Sequence, residues 1–183
     1  MKQKSSGFSI IEVALVLGIA GLIFIMAFIA LPSLWTSQRD ADRKARVMEF
    51  INDVKTYQTN NSRGALPILS VNKIEFKMSD PNARTDQTEG WYDFVKDYVL
   101  PGKDFVDASG NEYSYVVAKC NDLKCTDLSP ANDDSVDTIG VDNKIYVAIG
   151  ATCDGDRMVK TNSNRSVAAI QILERAGRYC HNT

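Results

Sequence analysis

The feature that most constrains this chain is an apolar run from Val13 to Leu31, which contains no charged residue. Its nineteen residues, coiled as a helix, are long enough to cross the hydrocarbon core of a bilayer, which is about 30 Å thick. A helix in the core of a small domain would show a polar face, and this run has none. The run therefore predicts a membrane-spanning helix near the N-terminus and disfavours a fully buried core helix.

The charged and small residues around the run indicate where the chain could be cleaved and which residue needs a partner. Lys2 and Lys4 precede it, and a single acidic residue, Glu12, stands at its start. A carboxylate inside hydrocarbon is costly, so one at this position usually has a partner. Basic residues before an apolar stretch are also typical of secretory signals, which end in a small-residue cleavage site. Residues 30–35 contain no convincing site of that kind, and the small residue Gly7 lies before the run instead.

The segment Gly7–Val13 reads Gly-Phe-Ser-Ile-Ile-Glu-Val. Followed by the apolar run, it resembles the N-terminus of type IV pilins and of the related pseudopilins. In that family a membrane-embedded prepilin peptidase cuts a short basic leader after the glycine, and the new first residue is methylated. The resemblance implies cleavage between Gly7 and Phe8, N-methylation of Phe8, and Glu12 as the fifth residue of the mature chain.

This processing would give Glu12 its partner. Cleavage after Gly7 creates an amine at Phe8 that stays protonatable after methylation. A lone cation and a lone carboxylate are each expensive in a low-dielectric core. We therefore expect a filament-assembly charge pair between Glu12 of one subunit and the Phe8 amine of another, which also fixes the register between subunits. The alternative, Glu12 in the headgroup layer, would describe the precursor stored in the membrane.

The sequence divides into four parts. Residues 1–7 are the leader, 8–32 the hydrophobic transmembrane and filament-core helix, 33–62 its amphipathic continuation, and 63–183 a globular head. The helix is expected to continue to about Asn60, where turn residues follow. Apolar residues in its second half recur at three- and four-residue steps, which predicts packing on a domain. These residues are Leu34, Ala41, Ala45, Met48, Ile51 and Val54.

The head contains one helix-like and three strand-like stretches. The helix is predicted at 89–99, and strands are predicted at 112–119, 144–152 and 166–173, where β-branched and aromatic residues alternate between turns. Residues 65–89 are rich in loop formers. The predicted fold is α+β, a long N-terminal α-helix packed on a small C-terminal antiparallel β-sheet, which is the ladle shape of pilins.

The four cysteines, Cys120, Cys125, Cys153 and Cys180, all lie beyond the membrane helix. An even number in an exported domain predicts two disulfides, for which three pairings exist. We favour Cys120 with Cys125, closing a turn, and Cys153 with Cys180, tying the C-terminus to a strand. The second pair would resemble the C-terminal disulfide loop of many pilins. The spacing matches no zinc pattern, and His181 is the only histidine, so no zinc site is expected.

Composition and motifs exclude several functional classes. The formal net charge of −2 gives no sign of nucleic-acid binding. The chain has no nucleophile elbow, metalloprotease helix or phosphate loop, so we expect no enzyme and no cofactor. Oxygen-rich stretches at 132–137 and 154–156 lack EF-hand spacing; solvated loops are expected there, with calcium binding as the alternative.

The resemblance implies a structural subunit of a type IV pilus, or fimbrium. Such a subunit is a single-pass membrane protein with an extracytoplasmic head until it polymerises into a filament at the cell surface. The expected partners are copies of itself and other pilins, the prepilin peptidase, an inner-membrane assembly platform, and membrane lipid before assembly. Two alternatives stay open: a pseudopilin of a type II secretion or DNA-uptake system, and a membrane-anchored extracytoplasmic binding domain.

Overall fold

The computed structural model describes residues 7–80, 82–101, 106–107, 110–128, 143–174 and 177–183. Residues 1–6 of the predicted leader and the oxygen-rich stretch 132–137 therefore lie outside the described residues. A long helix, α1 (Ile10–Asn60), precedes a short helix, α2 (Glu89–Phe94), which continues as a π-helical turn at Val95–Val99.

The described residues also form a mixed β-sheet and a hairpin. The strand bounds are β1 Lys73–Phe76, β2 Ser114–Lys119, β3 Lys144–Ile149, β4 Ala151–Asp154, β5 Arg157–Lys160, β6 Val167–Leu173 and β7 Gly177–Asn182. The sheet has the strand order β1, β2, β3, β6, β7, and β4 pairs with β5 in the hairpin. All neighbouring strands are antiparallel except β2 and β3, which run parallel.

The chain divides into two compact units between Gln38 and Arg39. The first contains the apolar part of α1, which stays α-helical through Pro32. The second contains the rest of α1, α2 and the strands. The amphipathic part of α1 therefore belongs, from Arg39 onward, to the same unit as the sheet.

One face of the sheet is covered by the second half of α1. Phe50 lies at the centre of this core, stacked on Tyr115 of β2 and edge-on to Phe94 of α2, with both ring centroids 5.8 Å away. Each fully buried apolar side chain of this kind stabilises the fold by about 1.5–3 kcal/mol. The α1 residues that are completely buried are Val47, Phe50, Ile51 and Val54.

The buried face of α1 differs in part from the predicted stripe. Ile51 and Val54 are buried as predicted, but Leu34, Ala41, Ala45 and Met48 are exposed. The buried apolar face is occupied by Val47, Phe50, Ile51 and Val54. These four residues follow the i, i+3, i+4, i+7 spacing of one helix face, and the alanines at 41 and 45 would bury little apolar area.

The opposite face of the sheet carries a second core, built from small and aliphatic residues. The structure joins Cys120 to Cys125 and Cys153 to Cys180, the pairing favoured from the sequence. The first disulfide closes the loop after β2. The second links β4 to β7, so that it attaches the hairpin to an edge strand of the sheet.

The α+β fold is confirmed, with specific differences. The predicted helix at 89–99 is α2 with its π-helical turn, and the predicted strands at 112–119 and 166–173 correspond to β2 and β6. The stretch 144–152 is split into β3 and β4 at Gly150, which has a φ of 79°. A side chain is disfavoured at such a φ, so glycine allows the chain to leave the sheet there. Strands β1, β5 and β7 were not predicted, and the β2–β3 pair is parallel rather than antiparallel.

Candidate functional site

The start of α1 is a capped helix terminus that includes the predicted site residue Glu12. The Ser9 backbone N–H donates to Glu12 Oε2 at 3.0 Å, and the Ile11 N–H lies 3.4 Å from Ser9 Oγ. The Val13 N–H donates to the Ser9 carbonyl oxygen at 3.3 Å. This arrangement of a serine and a glutamate three residues later is a capping box in which Ser9 Oγ faces the Ile11 N–H rather than that of Glu12, and it satisfies backbone donors that a helix start leaves unpaired. The negative charge of Glu12 also complements the positive end of the helix dipole.

The proposed cleavage site lies immediately before this cap. Gly7, Phe8 and Ser9 are exposed and not helical. The Phe8 side chain is 87% exposed. The bond between Gly7 and Phe8 is therefore in accessible backbone that the helix does not enclose.

Within one chain, Glu12 and the Phe8 backbone nitrogen are not paired. The carboxylate accepts its hydrogen bond from Ser9 instead. Phe8 and Glu12 nevertheless line the same shallow groove of about 530 Å³, whose other lining side chains are apolar. Glu12 is thus the one charged group among the described residues that line the groove.

The helix from Val13 to Leu31 presents a continuous apolar surface. No charged residue follows Glu12 until Arg39. Among the described residues, α1 is the helix that is long and apolar enough to cross a membrane, and its most apolar window is entirely unburied. Leucine, isoleucine and phenylalanine side chains around this part of the helix are mostly more than half exposed, such as Phe24 at 65%. These properties are consistent with a single-pass membrane protein.

A partly buried polar cluster begins the second unit. Arg39 of α1 binds Glu174, which directly follows β6, through two hydrogen bonds of 2.7 Å. The neighbouring Asp40 is nearly buried and accepts a hydrogen bond of 2.7 Å from the Glu174 backbone N–H. Arg43 approaches the same carboxylate at 3.8 Å and Asn143 Oδ1 at 3.5 Å. The hydrogen bonds to Glu174 raise the pKa of the Arg39 guanidinium. The cluster therefore fixes this part of α1 to the end of β6.

Metal-binding geometry is absent from the described part of the chain: it has no group of three or more His, Cys, Asp or Glu side chains positioned around a common point. Asp154 and Asp156, which belong to the oxygen-rich stretch 154–156, flank the turn between β4 and β5. Asp156 lies 3.9 Å from Arg157 and 3.6 Å from Arg178, so its charge is compensated by arginines.

Two features of the site were not predicted from the sequence. The Ser9–Glu12 capping box is visible in the sequence as a Ser-x-x-Glu spacing before an apolar run, so it could have been found there. The Arg39–Glu174 pair joins residues 135 positions apart, and no local pattern indicates it.

A comparison of the chain with models of protein families found no match. Comparisons with curated proteins and with solved structures found no significant match either. Function is therefore inferred from the residues of the chain and from their described geometry.

Proposed function

We propose that this protein is a structural subunit of a type IV pilus, cut between Gly7 and Phe8 and polymerised through the apolar part of α1. The observation that carries the proposal is the position of Glu12. Its carboxylate stands at the capped start of a helix whose surface is apolar and exposed from Val13 to Leu31. A soluble helix gains nothing from such a surface, whereas a bilayer or neighbouring apolar helices would cover it.

The geometry of Glu12 leaves room for a partner from another subunit. Oε2 accepts the Ser9 N–H, and no donor to Oε1 lies among the described residues. An amine created at Phe8 of a neighbouring subunit would find an acceptor there without displacing the cap. Pairing would remove the cost of two isolated charges in an apolar filament core, which gives leader cleavage a direct effect on assembly.

The two disulfides support an extracytoplasmic position for the second unit. Disulfides persist in oxidising compartments and are rare in the bacterial cytosol. All four cysteines are paired in the described structure. In this proposal the protein is not an enzyme; its partners are other copies and other pilins, the prepilin peptidase, an assembly platform and, before assembly, membrane lipid.

The same N-terminal features suit a pseudopilin of a type II secretion or DNA-uptake system, which shares the processing and the helix-mediated assembly. Both proteins would form filaments, and they differ in whether the filament extends from the cell surface. A membrane-anchored binding domain differs from both, because it would keep its leader or lose it elsewhere and would not polymerise.

Intact-mass analysis of protein sheared from the cell surface tests the proposal. We expect filaments whose chains begin at methylated Phe8. A chain that still begins at Met1 and is recovered only from membranes would contradict the proposal and indicate an anchored domain. Replacement of Gly7 by leucine should block cleavage and filament formation, whereas Gly21→Ala, within the helix, should leave cleavage intact.

A further inference from the structure

The second unit contains a cleft of about 470 Å³ at the carboxyl ends of the two parallel strands. Lys119 ends β2 and Ile149 ends β3, while Lys160 ends β5 on the same cleft. The loop containing Leu66, Pro67 and Leu69 forms another wall. Because the carboxyl ends of parallel neighbours meet at one edge of a sheet, such an edge is a common place for a binding crevice.

The charges that line this cleft are all positive. Lys119 and Lys160 contribute ammonium groups, and no acidic side chain lines the cleft among the described residues. Lys160 Nζ donates to the Asn121 carbonyl oxygen at 2.8 Å, which holds the ammonium in place. The carboxylate of Asp122, in an adjoining hollow, accepts the Thr126 N–H. In the part of the chain that the structure describes, neither lysine forms a salt bridge. Two cations facing one concave site attract an anion.

Two exposed aliphatic side chains belong to the segments around the cleft. Ile68 is 76% exposed and lies between the lining residues Pro67 and Leu69. Leu123 is 80% exposed and lines an adjoining hollow that shares Asn121 and Lys160 with the cleft. Among the described residues of the second unit, these are the two large apolar side chains that are more than half exposed. Leu123 therefore offers an apolar contact next to the charged Lys160.

The loops that carry these side chains are braced. Leu123 lies inside the Cys120–Cys125 disulfide loop, and its carbonyl oxygen accepts the Lys160 N–H at 3.3 Å. The Ile68 backbone packs so closely on Gly90 that a Cβ added there would lie 2.7 Å from the Ile68 oxygen. The two loops that carry Ile68 and Leu123 are therefore fixed before a partner binds, which lowers the conformational entropy lost on binding.

We propose that this cleft binds an acidic peptide segment of another protein. Carboxylates of the segment would pair with Lys119 and Lys160, and an apolar side chain would pack on Leu123 in the adjoining hollow. The amide and hydroxyl groups of Asn121, Asn164 and Thr161 in the lining suit the hydrogen bonds of a peptide backbone. An apolar contact combined with a polar, charged surround favours a protein partner over an acidic polysaccharide. The proposal goes beyond the proposed pilin function and holds whether or not the chain polymerises.

Fluorescence anisotropy on the full chain in a non-ionic detergent tests this binding. The probe is a fluorescein-labelled Gly-Asp-Glu-Leu-Asp-Glu-Gly peptide, and the control is its amide counterpart, Gly-Asn-Gln-Leu-Asn-Gln-Gly. We expect the acidic peptide to bind at least tenfold more tightly, with an affinity that falls as salt is raised. Equal affinities, or no binding of the acidic peptide at millimolar concentration, would overturn the proposal. Tighter binding of polygalacturonate fragments than of the peptide would overturn the assignment to a protein partner.

Variants locate the binding in the cleft. Lys119→Glu with Lys160→Glu should weaken peptide binding at least tenfold, and the milder Lys119→Gln with Lys160→Gln should weaken it less. Lys77→Glu with Lys96→Glu changes the net charge equally at exposed positions outside the cleft and should keep most of the affinity. Leu123→Ser should weaken binding several-fold without lowering the melting temperature, because Leu123 is already exposed. Equal losses in the cleft pair and the control pair would contradict a specific site.

Discussion

Arg39 and Glu174 form a two-pronged ion pair, Nε to Oε1 and Nη2 to Oε2, with both distances at 2.7 Å. The geometry matches the planar guanidinium to the carboxylate, which is the strongest arrangement for such a pair. The backbone N–H of Glu174 is held at the same time by Asp40. One residue at the end of β6 is therefore bound through both its side chain and its main chain by consecutive residues of α1.

Asp40→Ala should destabilise the second unit by about 1–3 kcal/mol, because it leaves the Glu174 N–H without its acceptor in a nearly buried position. Urea unfolding of the full chain in detergent, followed by near-ultraviolet circular dichroism, measures the loss. Asp42→Ala is the matched control on the exposed side of α1 and should change stability by less than about 0.5 kcal/mol. Equal effects of the two variants would show that the Asp40 hydrogen bond contributes nothing.

The two disulfides should stabilise the unit unequally. The Cys153–Cys180 bridge spans 27 positions and the Cys120–Cys125 bridge spans 5. By the chain-entropy relation, closing the longer loop contributes about 3.5 kcal/mol and closing the shorter one about 2 kcal/mol. Paired alanine variants, compared by the free energy of unfolding, should follow this order. A larger loss from the Cys120/Cys125 double variant would contradict an entropic origin of the difference.

Gly90→Ala should destabilise the protein although alanine favours helices. In an exposed helix this change would stabilise by about 1 kcal/mol. Here the new Cβ would lie 2.7 Å from the Ile68 oxygen and 2.8 Å from its nitrogen, so the backbone must shift, at a cost of about 1–3 kcal/mol. Gly177→Ala, where an added Cβ meets no atom within 4 Å, is the control. A melting temperature raised by Gly90→Ala would refute the close contact.

Elements with strong local signals were the ones that the sequence predicted. Helix α1 ends at Asn60 as expected, because turn-forming residues follow it. Strand β7, by contrast, reads Gly-Arg-Tyr-Cys-His-Asn and has little strand propensity of its own. Its conformation comes from pairing with β6 along its whole length and from the Cys153–Cys180 bridge. Strand propensity depends on such neighbours, so a local pattern misses strands of this kind.

Local sequence patterns also do not predict the direction of strand pairing or the contacts between residues that are distant in sequence. The parallel pairing of β2 with β3 depends on the path of the chain between them, and the alternation of side chains is the same in either direction. The N-terminal site differs, because Gly7, Phe8 and Glu12 are close in sequence and form a motif. The cleft at Lys119 and Lys160 requires the ends of separate strands to meet, so only the structure shows it.

Stability should fall as the pH drops from 7.5 towards 5, because His181 binds a proton more readily in the unfolded chain. Its pKa is lowered first by burial and then by the nearby Lys55. In the unfolded chain the imidazole takes a proton near pH 6.5. Below that pH the unfolded chain binds the proton more readily than the folded chain, so the free energy of unfolding falls. The fall levels off once the folded state also binds the proton. The loss in the free energy of unfolding stays below about 1.4 kcal/mol per pH unit, and the partial exposure of His181 reduces it further.

Unfolding midpoints measured between pH 5 and 7.5 check this dependence. His181 is the only histidine, so His181→Gln removes the one imidazole from the chain. The variant should show a flatter profile across that window. A profile that stays unchanged would assign the pH dependence to other groups.

The capping and pairing roles of Glu12 can be separated by two substitutions. Glu12→Gln keeps an oxygen that can accept the Ser9 N–H but removes the charge, since glutamine also serves in capping boxes. Ser9→Ala keeps the charge but removes the Oγ acceptor, at a cost of about 0.5–2 kcal/mol to the helix start. If pairing with the Phe8 amine drives assembly, Glu12→Gln should abolish filaments while membrane insertion and leader cleavage continue. Ser9→Ala should assemble at near-normal yield. Electron microscopy of sheared fractions, with the membrane-bound subunit as the loading control, distinguishes the two, and normal filaments from Glu12→Gln would rule out the charge pair.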